Sequence, residues 1–191
     1  MLTSPWVNDC VSDGLSISEA VEAFEPNILL GLSTQPNIFD ETVCTAMARI
    51  NRRPIIMPMS NPTSKSEAAP ADIYKWTEGR AVVATGSPYD PVTMSDGRVF
   101  IPSQCNNMYI FPGIGLAASV AGVTHITDKM LYRAAEACTN SMTQEEIDEG
   151  RTFPQVNRIR EVNKNVAVAV VEEAIACDMT TKIGKRQLAE G

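Results

Sequence analysis

Histidine is nearly absent from the 191 residues, since His125 is the one copy. A Ser-His-Asp triad needs a histidine beside its nucleophile, and the sequence has no G-x-S-x-G motif, so this class of hydrolase is excluded. The five cysteines are odd in number, widely spread and without metal-ligand spacing. They predict reduced thiols in an intracellular protein, not a disulfide framework or a zinc site.

The sequence also lacks long apolar runs and basic stripes. No uninterrupted apolar run approaches the roughly 18 residues that a membrane span needs, and no secretory signal is visible. Lysine and arginine total 16 against 23 aspartates and glutamates, which gives a formal net charge of -7. This balance argues against nucleic acid as the main partner. The expected protein therefore binds neither a membrane nor nucleic acid.

Three short apolar runs alternate with helical patterns, and this alternation predicts the fold class. The runs are residues 28–30 (ILL), 55–57 (IIM) and 81–84 (AVVA), and each is typical of a buried strand. The connections have the length of crossover helices, which predicts parallel strands in an open α/β sheet.

Capping signals and periodicity place the helices. Residues 15–24 predict a helix that Ser16 caps with Glu19 as its reciprocal partner. A second helix is predicted to open at Asn37, and its apolar stripe contains Phe39, Val43, Met47 and Ile50. The other predicted elements are a helix over 70–76, a short strand over 99–101, helices over 127–140 and 143–148, and a long last helix with Val156, Ile159, Val166 and Val170 on its apolar face. Thr143 and Glu146 form a predicted capping box.

Two patterns each have a structural and a functional interpretation. Residues 113–118 (GIGLAA) match the dinucleotide fingerprint G-x-G-x-x-A, but Pro112 stands between the glycines and the preceding apolar run, which favours tight helix packing. The acidic pairs 145–146 and 172–173 lie in helical segments, where a solvated face is favoured over a metal site.

Polar loops follow the three predicted strands, where ligands bind in open α/β sheets. They contain residues 31–33 (GLS), 60–63 (SNPT) and 86–88 (GSP), and a further polar cluster spans 104–107 (QCNN). An asparagine amide can hold a carboxylate and a carboxamide at once. It can equally close an Asx turn, and the pattern favours neither interpretation.

The motifs together resemble those of the malic enzymes. Five of them stand in the order of that family: residues 60–67 (SNPTSKSE), 76–80 (WTEGR), 84–91 (ATGSPYDP), 96–102 (DGRVFIP) and 104–113 (QCNNMYIFPG). The resemblance runs from about Ser16 to Met179. It implies an α/β fold with a partial Rossmann-like, doubly wound parallel sheet of about three strands and crossover helices, followed by a helical carboxyl-terminal region.

The resemblance also implies an activity and a site. The family decarboxylates malate oxidatively to pyruvate and CO2, with NAD or NADP and with Mg²⁺ or Mn²⁺, and its members are homo-oligomers of the cytoplasm or mitochondrion. The implied malate-binding residues are Asn61, Asn106 and Asn107. The implied cofactor-binding residues are Gly31, Ser33, Ser60, Asn61 and Asn107.

This sequence departs from the family in what it lacks. The family's catalytic tyrosine and lysine, its acidic metal ligands and its glycine-rich dinucleotide turn belong upstream of the matching segment, so no catalytic or metal residue is assigned here. Residues 34–37 (TQPN) also replace a glycine-rich stretch. We expect residues 15–179 to form the carboxyl-terminal part of the NAD(P)-binding domain, between a poorly defined segment 1–14 and a polar tail 180–191.

Two functions follow for such a partial chain. The first is a piece of a malic enzyme that is inactive alone. The alternative is a non-catalytic NAD(P)- and malate-binding or regulatory module that pairs with a full-length relative. In both cases the strand at 28–30 is expected to leave an exposed apolar edge, which favours aggregation.

Overall fold

The computed structural model describes residues 14–182, and these fall into two compact units divided between Pro102 and Ser103. The predictions for segment 1–14 and tail 180–191 therefore lie almost entirely outside the described residues. None of the described helices is both long enough and apolar enough to cross a membrane.

The first unit contains a parallel sheet in the order β1-β2-β3. Ile28 of β1 pairs with Ile55 of β2, and Ile55 pairs with Val82 of β3. A helix follows each of β1 and β2 before the next strand, as the alternation predicts. The elements are α1 (Ile17–Phe24), β1 (Ile28–Gly31), α2 (Glu41–Ile50), β2 (Ile55–Pro58), α3 (Pro70–Trp76) and β3 (Val82–Thr85), with a 3-10 turn at Thr63–Lys65.

Local signals placed these elements well. Ser16 caps α1, and its capping box with Glu19 is complete, as predicted. The predicted stripe of α2 enters the core, where Val43 and Met47 are at most 3% exposed. The core also buries Cys44 completely, and this desolvation, with the nearby charges of Asp40 and Asp72, raises the pKa of its thiol to about 12.

The second helix begins later than predicted. The sequence predicted a start at Asn37, but α2 begins at Glu41. Asn37 has a left-handed backbone with φ of 61°, which a helix cannot continue. Asp40 is the true cap, because its side chain accepts a hydrogen bond from the backbone N–H of Val43 at 3.0 Å.

Strand β1 is less buried than predicted. It lies at the edge of the sheet order, as expected, and Ile28 and Leu30 are each 51% exposed. Alternate side chains of a strand point to opposite faces. Leu29 packs against the core on one face, while the face of Ile28 and Leu30 stays open to solvent. The prediction of a fully buried strand is therefore wrong, and that of an exposed apolar edge is confirmed.

A short antiparallel hairpin completes the first unit. Strand β4 (Val92–Thr93) pairs with β5 (Val99–Phe100), and the sequence predicted the second of these strands only. The ring of Phe100 stacks on Tyr74 of α3 with 4.6 Å between centroids.

The second unit is helical. Its core buries Met130, Cys138, Val162 and Val166. Thr143 caps α6, as predicted, and Thr127, which was predicted as the first residue of its helix, caps α5. The elements are β6 (Ser103–Gln104), α4 (Phe111–Ala121), α5 (Asp128–Asn140), α6 (Gln144–Asp148) and α7 (Ile159–Ala176), with 3-10 turns at Asn107–Tyr109 and Val156–Arg158.

The glycine motif at 113–118 serves helix packing. Gly113 and Gly115 lie inside α4, and a 3-10 turn rather than a strand precedes this helix. A Cβ on Gly113 would lie 2.7 Å from the backbone oxygen of Asn163 in α7. The glycine therefore permits close contact between the two helices, which is the favoured interpretation.

One member of each acidic pair is buried, so the prediction of solvated faces is wrong for these two residues. Glu146 is 2% exposed and Glu173 is 7% exposed. Each has a cationic partner: Arg158 lies 2.8 Å from Glu146, and Lys129 lies 2.7 Å from Glu173. Pairing of this kind is what allows a carboxylate to be buried.

Candidate functional site

A buried carboxylate joins the loops that follow β1 and β2. Glu67 is 0% exposed. Its Oε1 accepts hydrogen bonds from the backbone N–H and the hydroxyl of Ser33, at 2.8 and 2.9 Å, and from the hydroxyl of Ser60 at 2.5 Å. Its Oε2 accepts from the backbone N–H of Ser60 at 3.3 Å. Two predicted cofactor-binding residues therefore share one anionic partner.

Two opposing effects set the pKa of Glu67. Burial raises the pKa, because a charged carboxylate loses its hydration. Hydrogen bonds from the hydroxyl of Ser60 and from the backbone and hydroxyl of Ser33 lower it, and the net result is a pKa below the usual value of 4.5. The carboxylate is therefore ionised at neutral pH, as an acceptor of several N–H and O–H donors must be.

We expect Glu67→Gln to flatten the pH dependence of unfolding. A pKa below 4.5 in the folded state means that the unfolded chain binds more protons. The stabilisation is then complete above 4.5 and is lost as the pH falls through the folded-state pKa. The variant should lose about 2 kcal/mol of unfolding free energy at neutral pH. At acid pH the loss of unfolding free energy should be smaller. Urea midpoints at both pH values measure this, and parallel pH curves would contradict it.

The loop after β3 lies against Asn61. The hydroxyl of Ser87 donates to the Asn61 side-chain oxygen at 2.5 Å. A Cβ on Gly86 would lie 2.9 Å from the Asn61 side-chain nitrogen and 2.1 Å from the backbone oxygen of Met59. Because parallel strands end at one edge of their sheet, the loops after β1, β2 and β3 form a single polar rim, on which Asn61 is exposed.

The loop after β1 has a constrained backbone. Thr34 and Asn37 have left-handed φ values of 59° and 61°, in a stretch where the resemblance implies glycines. For the β-branched Thr34 this conformation is strained. It is held by two hydrogen bonds: the Thr34 N–H donates to the Ser60 hydroxyl at 2.9 Å, and its own hydroxyl donates to the Ser33 carbonyl at 2.6 Å.

Asn106 and Asn107 belong to the second unit. The side-chain oxygen of Asn106 accepts a hydrogen bond from the N–H of Met108 at 3.0 Å, which caps the 3-10 turn. The Asx-turn interpretation therefore holds for that oxygen, and the amide nitrogen is a separate donor. Asn107 is exposed.

A further asparagine, Asn163, supports this turn from α7. Its nitrogen donates to the carbonyl of Met108 at 2.9 Å, and its oxygen accepts from the N–H of Gly113 at 2.8 Å. The 3-10 turn and the first turn of α4 are thereby tied to one side chain of α7.

Sequence reasoning singled out Gly31, Ser33, Ser60 and Asn61, and the structure brings these four to one rim. Sequence reasoning missed three side chains that hold the site residues: Glu67, Ser87 and Asn163. The hydrogen bond of Ser87 to Asn61 spans 26 residues and that of Asn163 to Gly113 spans 50, so local patterns carry no sign of these contacts.

Within residues 14–182, no group of three or more histidines, cysteines, aspartates or glutamates is arranged to hold a metal ion. The described residues therefore do not fit the divalent metal that the resemblance implies, and no step of the chemistry is assigned to it here.

A polar rim at the carboxyl ends of parallel strands is where open α/β domains, the dinucleotide-binding domains among them, bind their ligands. The model of the family "Malic enzyme, NAD binding domain" matches residues 4–175. The chain belongs to the malic enzyme family and matches its NAD-binding domain.

Curated relatives and solved structures agree with this assignment. The NAD-dependent malic enzyme of Pectobacterium carotovorum is 46% identical over 91% of this chain, and the NADP-dependent malic enzyme of Rattus norvegicus is 40% identical over 87%. The crystal structure of the Entamoeba histolytica malic enzyme has a TM-score of 0.68 at 26% identity, with 91% of this chain and 32% of that chain covered. The chain spans 30% and 29% of the two curated relatives.

Proposed function

We propose that this chain forms the part of a malic enzyme that receives malate and the nicotinamide end of NAD or NADP. The observation that carries the proposal is the polar rim of the first unit, where the loops after three parallel strands converge on Glu67 and Asn61. Relatives of both cofactor types support the class of cofactor, since their names specify NAD in one case and NADP in the other.

The chain's own residues suit the binding of anionic and amide groups. Because the Asn61 oxygen accepts from Ser87, its NH2 group remains oriented as a donor for a carboxylate or carboxamide oxygen. The absence of a side chain at Gly31 and Gly86 leaves room for the side chain of Glu67 and for the backbone of Met59, which bring the loops of the rim together. The amide nitrogen of Asn106 and the exposed Asn107 are proposed as further donors to malate.

A bound NAD or NADP would supply the acceptor for a hydride from C2 of malate, and the residues of the rim would orient the two reactants. The same proposal includes decarboxylation to pyruvate and CO2 by the whole enzyme. It also includes the metal and the homo-oligomeric state of that enzyme. The isolated chain is expected to bind but not to turn over, because the family's catalytic tyrosine, lysine and acidic metal ligands have no counterpart among its motifs.

One observation favours the second candidate, a binding module that pairs with a full-length relative. The edge of β1 carries the exposed Ile28 and Leu30, and an open strand edge with an apolar face is suited to receive a further strand. Genetic sequence upstream of this chain separates the candidates, since an in-frame tyrosine, lysine and acidic cluster would belong to the enzyme.

Isothermal titration of the purified chain with NAD and NADP, with and without malate and Mn²⁺, tests the proposal. We expect saturable binding that malate strengthens, no formation of pyruvate, and a loss of about tenfold in affinity for Asn61→Ala, about the value of one hydrogen bond to a charged group. Asn140→Ala, at an exposed position in the second unit, is the matched control. A wild-type chain without saturable heat would overturn the proposal.

A further inference from the structure

The structure assigns to Glu67 the role of positioning residue for the nicotinamide end of the site, an inference that rests on the proposed function. Glu67 contacts none of the proposed reactants itself. It acts through Ser33 and Ser60, whose loops it holds in one arrangement.

The hydrogen bonds require a carboxylate specifically. Two backbone N–H groups and two hydroxyls, from Ser33 and Ser60, donate hydrogen bonds to the Glu67 carboxylate. A carboxylate accepts on both oxygens, whereas a glutamine amide accepts on one and presents N–H donors on the other. In Glu67→Gln one N–H or O–H donor of the two loops therefore faces the N–H donors of the glutamine amide, so that this hydrogen bond cannot form.

Steric fit points to the same function. A Cβ on Gly31 would lie 2.6 Å from Cδ and Oε2 of Glu67, so the carboxylate packs directly against the end of β1. The Glu67 carboxylate therefore fills the space where a side chain at position 31 would lie. A larger residue at position 31 would collide with it, and a displaced side chain at position 67 would lose this packing.

The hydrogen bonds of Glu67 connect it to the residues that are proposed to contact the ligands. The Ser60 hydroxyl donates to Glu67 and accepts from the N–H of Thr34, the residue with the strained backbone. Ser60 is also followed directly by Asn61. Loss of the charge at Glu67 is thus expected to release the Ser33–Thr34 loop and to change the orientation of the Asn61 amide.

A general role in stability is the competing explanation, and the chain offers a matched control for it. Glu146 in the second unit is also a buried carboxylate, 2% exposed. It accepts backbone hydrogen bonds from Thr143 and Gln155, each at 2.8 Å. Glu67→Gln and Glu146→Gln therefore make the same chemical change at comparable burial, inside and outside the proposed site.

The first measurement is amide hydrogen exchange of the ligand-free chain by NMR. In Glu67→Gln we expect exchange at Ser33 and Ser60 to accelerate at least about tenfold, an opening easier by the value of one or two hydrogen bonds. The amide of Val82, which donates to the Pro54 carbonyl in the sheet, should accelerate by the loss of global stability expected for this variant, and low urea should accelerate its exchange further. Exchange at Ser33 and Ser60 should be independent of low urea, because only the two loops open. A shared urea dependence at all three amides would show that they exchange through global unfolding and would overturn the assignment.

The second measurement is a titration with NAD that follows the side-chain amide signals of Asn61. We expect Glu67→Gln to bind about tenfold more weakly, and Glu146→Gln to stay within about twofold of wild type. Wild-type affinity in Glu67→Gln would overturn the positioning role. If the wild-type chain itself shows no response to NAD, the proposed function fails, while the exchange comparison still decides whether Glu67 holds the two loops.

Discussion

Replacing Gly86 by alanine is expected to lower the unfolding free energy of the first unit by about 3 kcal/mol, near the upper end for an overpacked site. The new Cβ would lie 2.1 Å from the backbone oxygen of Met59 and 2.7 Å from its carbonyl carbon. Backbone atoms cannot rotate away as a flexible side chain can, so β2 and β3 must separate locally. The amide of Gly86 donates to the Pro58 carbonyl, and this separation would strain that hydrogen bond too.

Urea unfolding followed by the fluorescence of Trp76 measures this effect, because Trp76 of α3 packs against the core of the first unit. Gly115→Ala is the control. Gly115 is exposed in α4, and no atom lies within 4 Å of the position that an added methyl group would occupy. Alanine there should leave the fluorescence midpoint of the first unit unchanged, while circular dichroism should show the second unit stabilised by about 0.5 to 1 kcal/mol. A Gly86→Ala chain with the wild-type urea midpoint would show that the contact of the two strands is looser than described.

Removal of the cation beside Glu146 is expected to have an effect of similar size in the second unit. Arg158→Ala should lower the unfolding free energy by about 3 kcal/mol, because it leaves a carboxylate that is 2% exposed without its cationic partner. Burial raises the pKa of Glu146, but backbone hydrogen bonds from Gln155 and Thr143, together with Arg158, bring it below the usual value. Without Arg158 this pKa should rise.

A double-mutant cycle separates the unpaired charge from lost packing. Adding Glu146→Gln to Arg158→Ala removes the uncompensated charge and should restore part of the lost stability. The control is Arg133→Ala, whose partner Glu136 is 36% exposed, so that its loss should cost less than about 1 kcal/mol. Circular dichroism of the helices in urea gives the midpoints. A double variant less stable than Arg158→Ala would contradict the role of the unpaired charge.

The sequence predicted the features that depend on near neighbours. The capping box of Ser16 and Glu19 and that of Thr143 and Glu146 span three residues each, and both were recognised. The three parallel strands followed from apolar runs and the spacing between them. The motif order predicted the family, and through it the residues 31, 33, 60 and 61 that the structure places on one rim.

Features that depend on distant partners were missed or wrong. Glu67 contacts Ser33 across 34 residues, and no local pattern distinguishes it from a surface glutamate. The same reason explains Glu146, whose burial depends on Arg158 and on the backbone at Gln155. Exposure of Ile28 and Leu30 depends on what covers the second face of the sheet, which a run of three apolar residues does not specify.

Two buried thiols among residues 14–182 give each unit a chemical reporter of its own. Cys44 in the first unit is 0% exposed and Cys138 in the second is 5% exposed. Only the thiolate is alkylated, and burial raises the pKa of both thiols, so the closed units resist such reagents. Modification of either cysteine therefore records how often its own unit opens, and the opening of the two halves can be timed separately in one sample.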